Sequence, residues 1–383
     1  MSAEREHALL SASSAHRWLI CTPSARFEET LPEITSEYAE EGRLAHEIAE
    51  LYARKAFIEP MTARKFNTAL KKLQADELYQ KEMLTHAETY VEKLSEIVHS
   101  FKSKPHVVLE RRVDYAAYAP EGFGTADCII IGDETMYVVD YKYGKGVPVD
   151  ATDNPQMMLY GLGALQEYAF LYNIKSVHLT IVQPRLDNNA AYRLAAEDLI
   201  AWGQKIKPLA QSAFGGIGDY IPGEHCRFCR AKAVCRARAA QNTALEDFQN
   251  CAPADLSNAE IGQLLIRAKD LVSWAKDLED YALSRCLSGE EIPGWKAVEG
   301  RAVRAFTDQE EAFKQLVSNG VEEALLYERK PLTLASIEKV VGKSLFYDLL
   351  SDFIVTPPGK PTLVEEKDKR QAITRIGAEE DFK

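Results

Sequence analysis

The spacing Cys226-Arg-Phe-Cys229-Arg-Ala-Lys-Ala-Val-Cys235 constrains this chain more than any other feature. It offers three metal-ligand thiols and leaves a fourth to be found. Cys21, in Trp18-Leu19-Ile20-Cys21-Thr22-Pro23, follows a helical stretch and precedes a proline turn, and it fits that place. If Cys21 completes the set, segments at the two ends of one domain must meet. Cys128 alternates within an apolar strand and reads as core, while Cys251 and Cys286 have no partner spacing. Two C-x2-C pairs would favour zinc. With one distant ligand, the spacing alone leaves zinc and iron–sulfur both open.

Composition agrees with metal rather than disulfides. Seven cysteines cannot all pair, and the N-terminus lacks the basic-then-apolar order of a signal peptide. The expected location is therefore the cytoplasm, where thiols stay reduced. With 46% hydrophobic and 27% charged residues the chain reads as a soluble globular protein. No apolar run approaches the roughly 20 residues that span a bilayer. A net charge of −12 works against general attraction to nucleic acid, so such contact would need a local basic patch. Arg227, Arg230, Lys232, Arg236 and Arg238 form one candidate with no acidic residue among them, although a solvated helix face would look the same.

The first hundred residues read as helical, with stretches over 11–18, 37–55 and 77–101. Strand patterns follow at 106–113, 125–131, 136–142 and 176–183, with a helix over 155–172 between the last two and another over 197–214. Helices, a short mixed sheet with a crossover helix, then more helix predict an α/β core. Helices over 260–287, 310–326 and 333–353 predict a mainly helical C-terminal region. The expected division is 1–245 for the α/β domain, 246–356 for the helical region and 357–383 for a flexible charged tail.

Within the sheet, Asp127-Cys128-Ile129-Ile130-Ile131 and Met136-Tyr137-Val138-Val139-Asp140 flank the turn-type residues Gly132-Asp133-Glu134-Thr135. A four-residue loop sets Ile131 opposite Met136 and, counting back, Asp127 opposite Asp140. Directly opposed residues have Cβ atoms roughly 4.5–5.5 Å apart. Two carboxylates that close call for a cation, and oxygen donors suit Mg²⁺ or Mn²⁺. Alternation puts Lys142 on the face of Asp140, where an amine can orient or deprotonate water, or stabilise phosphoryl charge. Glu110, one strand earlier, is either a further acidic neighbour or a polar strand residue beside Arg111 and Arg112. His178 reads as structural.

These residues resemble the PD-(D/E)xK (restriction-endonuclease-like) nuclease superfamily, and within it the RecB/Cas4-like branch. Gly42-Arg43-Leu44-Ala45-His46 looks like that branch's G-x-x-x-H helix, Gly124-Thr125-Ala126-Asp127 its G-x-x-D motif, and Asp140-Tyr141-Lys142 its (D/E)-x-K motif. Gln156-Met157-Met158-Leu159-Tyr160 matches its Q-x-x-x-Y helix. The resemblance implies metal ligands at His46, Asp127 and Asp140. It implies catalytic roles for Asp127, Asp140 and Lys142, with Gln156 and Tyr160 positioning DNA or the lysine. It also implies a [4Fe–4S] cluster on Cys21, Cys226, Cys229 and Cys235, with zinc as the second choice.

The resemblance covers residues 8–240, and the tail resembles that of the phage-associated DUF2800 family. Its implied activity is Mg²⁺- or Mn²⁺-dependent DNA hydrolysis, expected to be exonucleolytic, in phage or prophage recombination or replication inside a bacterial host. A single-strand annealing or binding protein is the implied partner. Two alternatives stand beside it. One is a non-catalytic Fe–S DNA-binding or scaffold protein that keeps the nuclease fold, and the other is an endonuclease of a defence system.

Overall fold

The computed structural model describes residues 8–32, 37–244, 257–299, 308–319, 321–327 and 333–354. The chain forms two compact units, Met1–Ala297 and Val298–Lys383. The expected division near residue 245 falls inside the first unit. The tail at 357–383 and Cys251 lie outside the described residues.

The first unit begins with helices α1 (Ala15–Trp18), α2 (Ser24–Glu29), α3 (Glu37–Ala53), α4 (Ala63–Leu73) and α5 (Glu82–His99). A five-stranded sheet follows: β1 (His106–Asp114), β2 (Phe123–Gly132), β3 (Thr135–Tyr141), β4 (Ser176–Gln183) and β5 (Asn188–Ala195), in spatial order β1-β2-β3-β4-β5. Only β3 and β4 run parallel, and parallel neighbours need a crossover. Helix α6 (Pro155–Tyr168) supplies it. Asn154 caps α6 by accepting from the N–H groups of Gln156 and Met157, and Pro155 sits where a missing N–H costs nothing. Helix α7 (Ala196–Gly215) closes on Gly216 at φ 68°, a left-handed cap that turns the chain towards the cysteine segment. Then come α8 (Arg236–Thr243) and α9 (Asn258–Leu287), the latter opened by a reciprocal Ser257–Glu260 cap.

The β2–β3 hairpin sets Ile131 opposite Met136, as its pattern predicts, but closes one rung further at Gly132↔Thr135. Its loop is therefore the pair Asp133 (φ 44°) and Glu134 (φ 61°), both left-handed, which matches strand twist in two-residue hairpins. Strand β5 and helix α4 are additional to the expected elements; α4 carries a legible start, Thr62 accepting from the Lys65 N–H, and buries Phe66 and Leu70 on one face. In β5 the run Asn-Asn-Ala-Ala lacks β-branched and aromatic residues, and the strand alternates only between half-buried and exposed.

Two apolar cores lie against the sheet. One joins Leu10 and Trp18 to Ile129, Ile131, Val138, Leu179 and the buried side of α6 and α7. The other joins Leu44 and Ile48 of α3 and Tyr90 and Leu94 of α5 to Leu109, Cys128, Ile130, Val139 and Tyr141. Fully buried side chains such as Ile48 and Leu94 each contribute about 1.5–3 kcal/mol. Cys128 belongs to this second core, as expected.

The second unit contains α10 (Gln309–Ser318), α11 (Leu334–Val341) and α12 (Lys343–Leu350). The single helix expected over 333–353 is broken by Gly342 at φ 86°, a conformation that only glycine adopts cheaply. No described helix is long and apolar enough to cross a membrane.

Candidate metal centre and cysteine pocket

The centre forms where β2 and β3 part. Their ladder runs from Gly132↔Thr135 to Cys128↔Val139 and stops. One residue further, the Asp127 carboxylate takes the place of a strand and accepts the Tyr141 N–H at 2.7 Å. His46 of α3 approaches the same carboxylate oxygen, with Nδ1 at 3.5 Å.

Strict alternation would send Asp127 and Asp140 to one face. The two cores show otherwise. Ala126, Ile129 and Ile131 pack in the first core, while Cys128 and Ile130 pack in the second, so the alternation of β2 slips by one residue at Asp127. In β1, Val108 and Val113 face the first core and Leu109 the second, a slip that coincides with Glu110 at φ 48°. The register Leu109↔Cys128 and Arg111↔Ala126 continues across both slips, so Glu110 and Asp127 occupy the same rung. His46, Glu110 and Asp127 each present one ligand atom, and the three atoms lie within 4.8 Å of one another. Asp140, predicted as a ligand with His46 and Asp127, lies outside that trio.

Asp140 serves the other side of the gap. It is 3% exposed, its Oδ2 is 2.9 Å from Lys142 Nζ, and its Oδ1 accepts from Gln156 Nε2 at 3.2 Å. Lys142 Nζ in turn donates to Gln156 Oε1 at 3.1 Å. Gln156 Nε2 also lies 3.4 Å from the Tyr160 hydroxyl, one helical turn on. Tyr160 is laid against Gly124, where a Cβ would come within 2.7 Å of its ring. The glycine of the G-x-x-D stretch is thus a seat for the tyrosine of the Q-x-x-x-Y helix. All six residues predicted for catalysis or metal meet around one strand end, arranged as two adjoining groups.

The electrostatics are uneven. Burial opposes charging of His46, but Asp127 outweighs it and raises the imidazole's pKa. Burial likewise opposes ionisation of Asp127, yet His46, the Tyr141 N–H and Lys142 hold its carboxyl below the ordinary range. Asp140 is raised, first by burial and then by the charge of Asp127. Glu110 is pushed up to about 8, by burial and then by Asp127. The Tyr90 hydroxyl, from α5, is buried without a partner and feels the same carboxylates. Four carboxylates, Glu50, Glu110, Asp127 and Asp140, meet three cationic groups, His46, Arg54 and Lys142, so the centre is short of positive charge.

Beyond Lys142 the chain forms a loop fixed by one side chain. Gln183, at the end of β4 and 2% exposed, donates to the carbonyls of Gly144 at 2.6 Å and Val147 at 3.0 Å. Its own oxygen accepts the Val149 N–H at 3.1 Å and Asn188 Nδ2 at 3.0 Å. Lys145 lies exposed within this loop.

The four predicted cysteines do converge. Cys21, Cys226, Cys229 and Cys235 line one pocket of about 350 Å³, counted with its open mouth, together with Arg17, Ser24 and His225. Burial raises the thiols of Cys21 and Cys226, and that of Cys229 to about 12. The Ser24 hydroxyl is buried there without a partner. Protein contacts also tie the two segments together. Arg17 donates from Nε to Glu28 Oε2 at 2.8 Å and from a guanidinium nitrogen to the Phe228 carbonyl at 3.0 Å. Glu28 Oε1 accepts the Arg230 N–H at 2.7 Å, and Thr22 donates to the Ile217 carbonyl at 2.6 Å. Cys286 lies on α9, away from this pocket.

The basic stretch is divided. Arg238 is 1% exposed and pairs with Asp277 and Asp270 of α9, and Lys232 pairs with Asp277 at 2.7 Å. Arg227 lies over the Phe228 ring. Helix α9, placed by its sequence in a separate region, thus takes up two of the five basic residues, while Arg227, Arg230 and Arg236 stay exposed. His178 packs at a tilt on Tyr137, ring centroids 4.3 Å apart, across the β3–β4 pair, in keeping with a structural role.

A solved structure described as "Crystal structure of SSO0001" shares 18% identity across 56% of this chain and 95% of its own, at a TM-score of 0.22. That superposition is too loose to carry a statement about the fold. A family model described as "Protein of unknown function (DUF2800)" matches residues 7–371, nearly the whole length, and the chain belongs to that family.

Proposed function

We propose that the chain is a metal-dependent deoxyribonuclease of the PD-(D/E)xK type, hydrolysing phosphodiester bonds. One observation carries the reading: His46, Asp127, Asp140, Lys142, Gln156 and Tyr160, from α3, β2, the end of β3 and α6, converge where β2 and β3 part. The donor set fits a divalent cation, because Glu50, Glu110, Asp127 and Asp140 outnumber His46, Arg54 and Lys142 there and Asp140 Oδ2, fully buried, accepts no well-aligned hydrogen bond. His46 and Asp127 would hold the cation, with Asp140 adjoining. When bound, Mg²⁺ or Mn²⁺ supplies an acidified water and neutralises charge on the phosphodiester.

The protein's own groups do the positioning. Lys142 has three N–H donors, and Asp140 and Gln156 engage two of them. The third is left for a water or a non-bridging phosphate oxygen. Gln156 fixes the Asp140–Lys142 pair by touching both, and Tyr160, seated on Gly124, fixes Gln156. Water adds to phosphorus and the bond to the leaving sugar oxygen breaks. Exonucleolytic action, a phage recombination or replication setting and a single-strand-binding partner rest on family resemblance alone.

For the cysteine pocket we propose the [4Fe–4S] cluster. A tetrahedral zinc holds its thiolates roughly 3.8 Å apart, given Zn–S bonds of about 2.3 Å. Among the described residues no three of these sulfurs lie within 4.8 Å of one another. A cubane, in which each thiolate binds a different iron, suits wider spacing. Visible absorption of anaerobically prepared protein tests this, and a colourless, zinc-containing preparation would refute it.

The activity is tested with end-labelled linear, closed-circular and single-stranded DNA and either metal. Linear DNA is expected to be degraded and closed circles spared. Equal loss of both would overturn end dependence, no cleavage by anaerobic wild type would favour the scaffold alternative, and activity surviving both Asp140→Ala and Lys142→Ala would sink the site.

A further inference from the structure

We infer that Glu110 is a ligand of the divalent cation, and that the set His46, Glu110 and Asp127 selects Mn²⁺ over Mg²⁺. The inference rests on reading this centre as a metal site. It adds a ligand on the α3 side of the gap, across from the Asp140 carboxylate that also holds Lys142 and Gln156.

The backbone is the first argument. A left-handed glutamate inside a strand is disfavoured, and such strain persists where the surroundings over-determine it, most often at functional sites. Here the strain has a definite product. Glu110 and Asp127 occupy one rung, and the alternation of both strands slips at that rung. Leu109 remains in the second core, and Arg111 reaches across the opposite face to Glu167 of α6. Between these two residues, Glu110 is brought to His46 and Asp127, with ligand atoms mutually within 4.8 Å.

The second argument is what Glu110 lacks. Among the described residues its carboxylate has no hydrogen bond and no ion pair. Arg54 acts on it only at a distance and is itself paired with Glu50, so Glu110, set against Asp127, lacks the direct arginine or backbone N–H partners that would normally compensate it. The third argument is independent: Tyr90 is 2% exposed, its hydroxyl has no partner, and it borders the same carboxylates from α5. The buried Tyr90 donor and the Glu110 carboxylate are both left unmatched, which a cation with its water would resolve.

Metal choice follows from the donors. Mg²⁺ takes oxygen ligands in strict octahedral geometry and gives up water reluctantly. An imidazole together with two carboxylates favours Mn²⁺ and later ions. Thiols are poor ligands for Mn²⁺, so the cysteine pocket does not compete.

The test uses the full-length protein, prepared anaerobically and freed of divalent cations, titrated with MnCl₂. Free Mn²⁺ is read by electron paramagnetic resonance, and thermal melting is followed in parallel. Wild type is expected to bind Mn²⁺ and keep it in a hundredfold excess of Mg²⁺. Glu110→Gln and Asp127→Asn should each weaken binding at least about tenfold. Glu110→Gly, which relieves the left-handed backbone, should raise the melting temperature of the metal-free protein and abolish its rise with Mn²⁺. Binding by Glu110→Gln as tight as wild type, with Asp127→Asn impaired, would overturn the role of Glu110 and leave the centre standing. If neither variant is impaired, the centre itself falls. Equal affinity for Mg²⁺ would remove the selectivity. A lower metal-free melting temperature for Glu110→Gly would show that the strand needs Glu110 for its own sake, against the argument.

Discussion

The two ligand-rich regions of the first unit are built on opposite principles. Around the strand end, Glu50, Glu110, Asp127 and Asp140 face His46, Arg54 and Lys142, and buried polar atoms are left over. Around the cysteines, the two segments are already joined by Arg17, Glu28 and the backbone of residues 228–230, with their charges matched. One region is incomplete as protein and the other is nearly complete. Incompleteness marks the place where chemistry is expected, whereas a matched network marks a joint that a cofactor reinforces.

The sharpest way to break that contrast is to substitute one residue from each side. Lys142→Ala is expected to reduce DNA cleavage by about 10²–10⁴-fold, measured on end-labelled linear DNA, with little change in melting temperature. Arg17→Met should do the reverse. It strands the buried Glu28 carboxylate, costs about 3–5 kcal/mol in denaturant unfolding and leaves the turnover of folded protein unaltered. Cys226→Ser, assayed the same way, should cost less than Arg17→Met. A larger loss would show that the thiols, and not the ion pair, hold the joint.

A subtler probe is pH. Glu110 rises from 4.5 to about 8 in the folded protein, so between those values the native state holds a proton that the unfolded chain releases. Stability from this group is present at the low end of that window and is lost as pH rises through about 8. Asp127, held low, contributes in the opposite sense. The clean measurement is therefore a difference: metal-free wild type should lose more stability than Glu110→Gln between pH 5 and about 8.5. Parallel profiles would mean that Glu110 is not buried against Asp127. The smallest effect concerns packing. Gly124→Ala puts a methyl group against the Tyr160 ring, at about 1–3 kcal/mol in stability and with partial loss of cleavage.

Much of this was legible in the residues. The hairpin pairing Ile131↔Met136, the crossover helix with its Asn154-Pro155 start, and the meeting of Cys21 with the C-x2-C-x5-C segment all follow from pattern and spacing. What periodicity could not reveal is the slip at Glu110 and Asp127. Alternation assumes every strand residue is extended, and nothing in Leu109-Glu110-Arg111 announces a positive φ. Glu110 could have been raised to a candidate only by counting the rung across β1 and β2 as well as that across β2 and β3. The pairing of Lys232 and Arg238 escaped for a different reason. Its acids, Asp270 and Asp277, lie on α9, too far along the chain for local charge counting to include.

The grip of Gln183 on Gly144, Val147 and Val149 has an evolutionary reading. Within the loop it touches only main-chain atoms, so the route beside Lys142 is dictated from β4 and not by the loop's own side chains. Lys145 and Val147 can therefore be exchanged for other residues without moving the strand end they border. The protein carries a stretch where sequence can drift, and what it contacts can change, while the neighbouring groups keep their places.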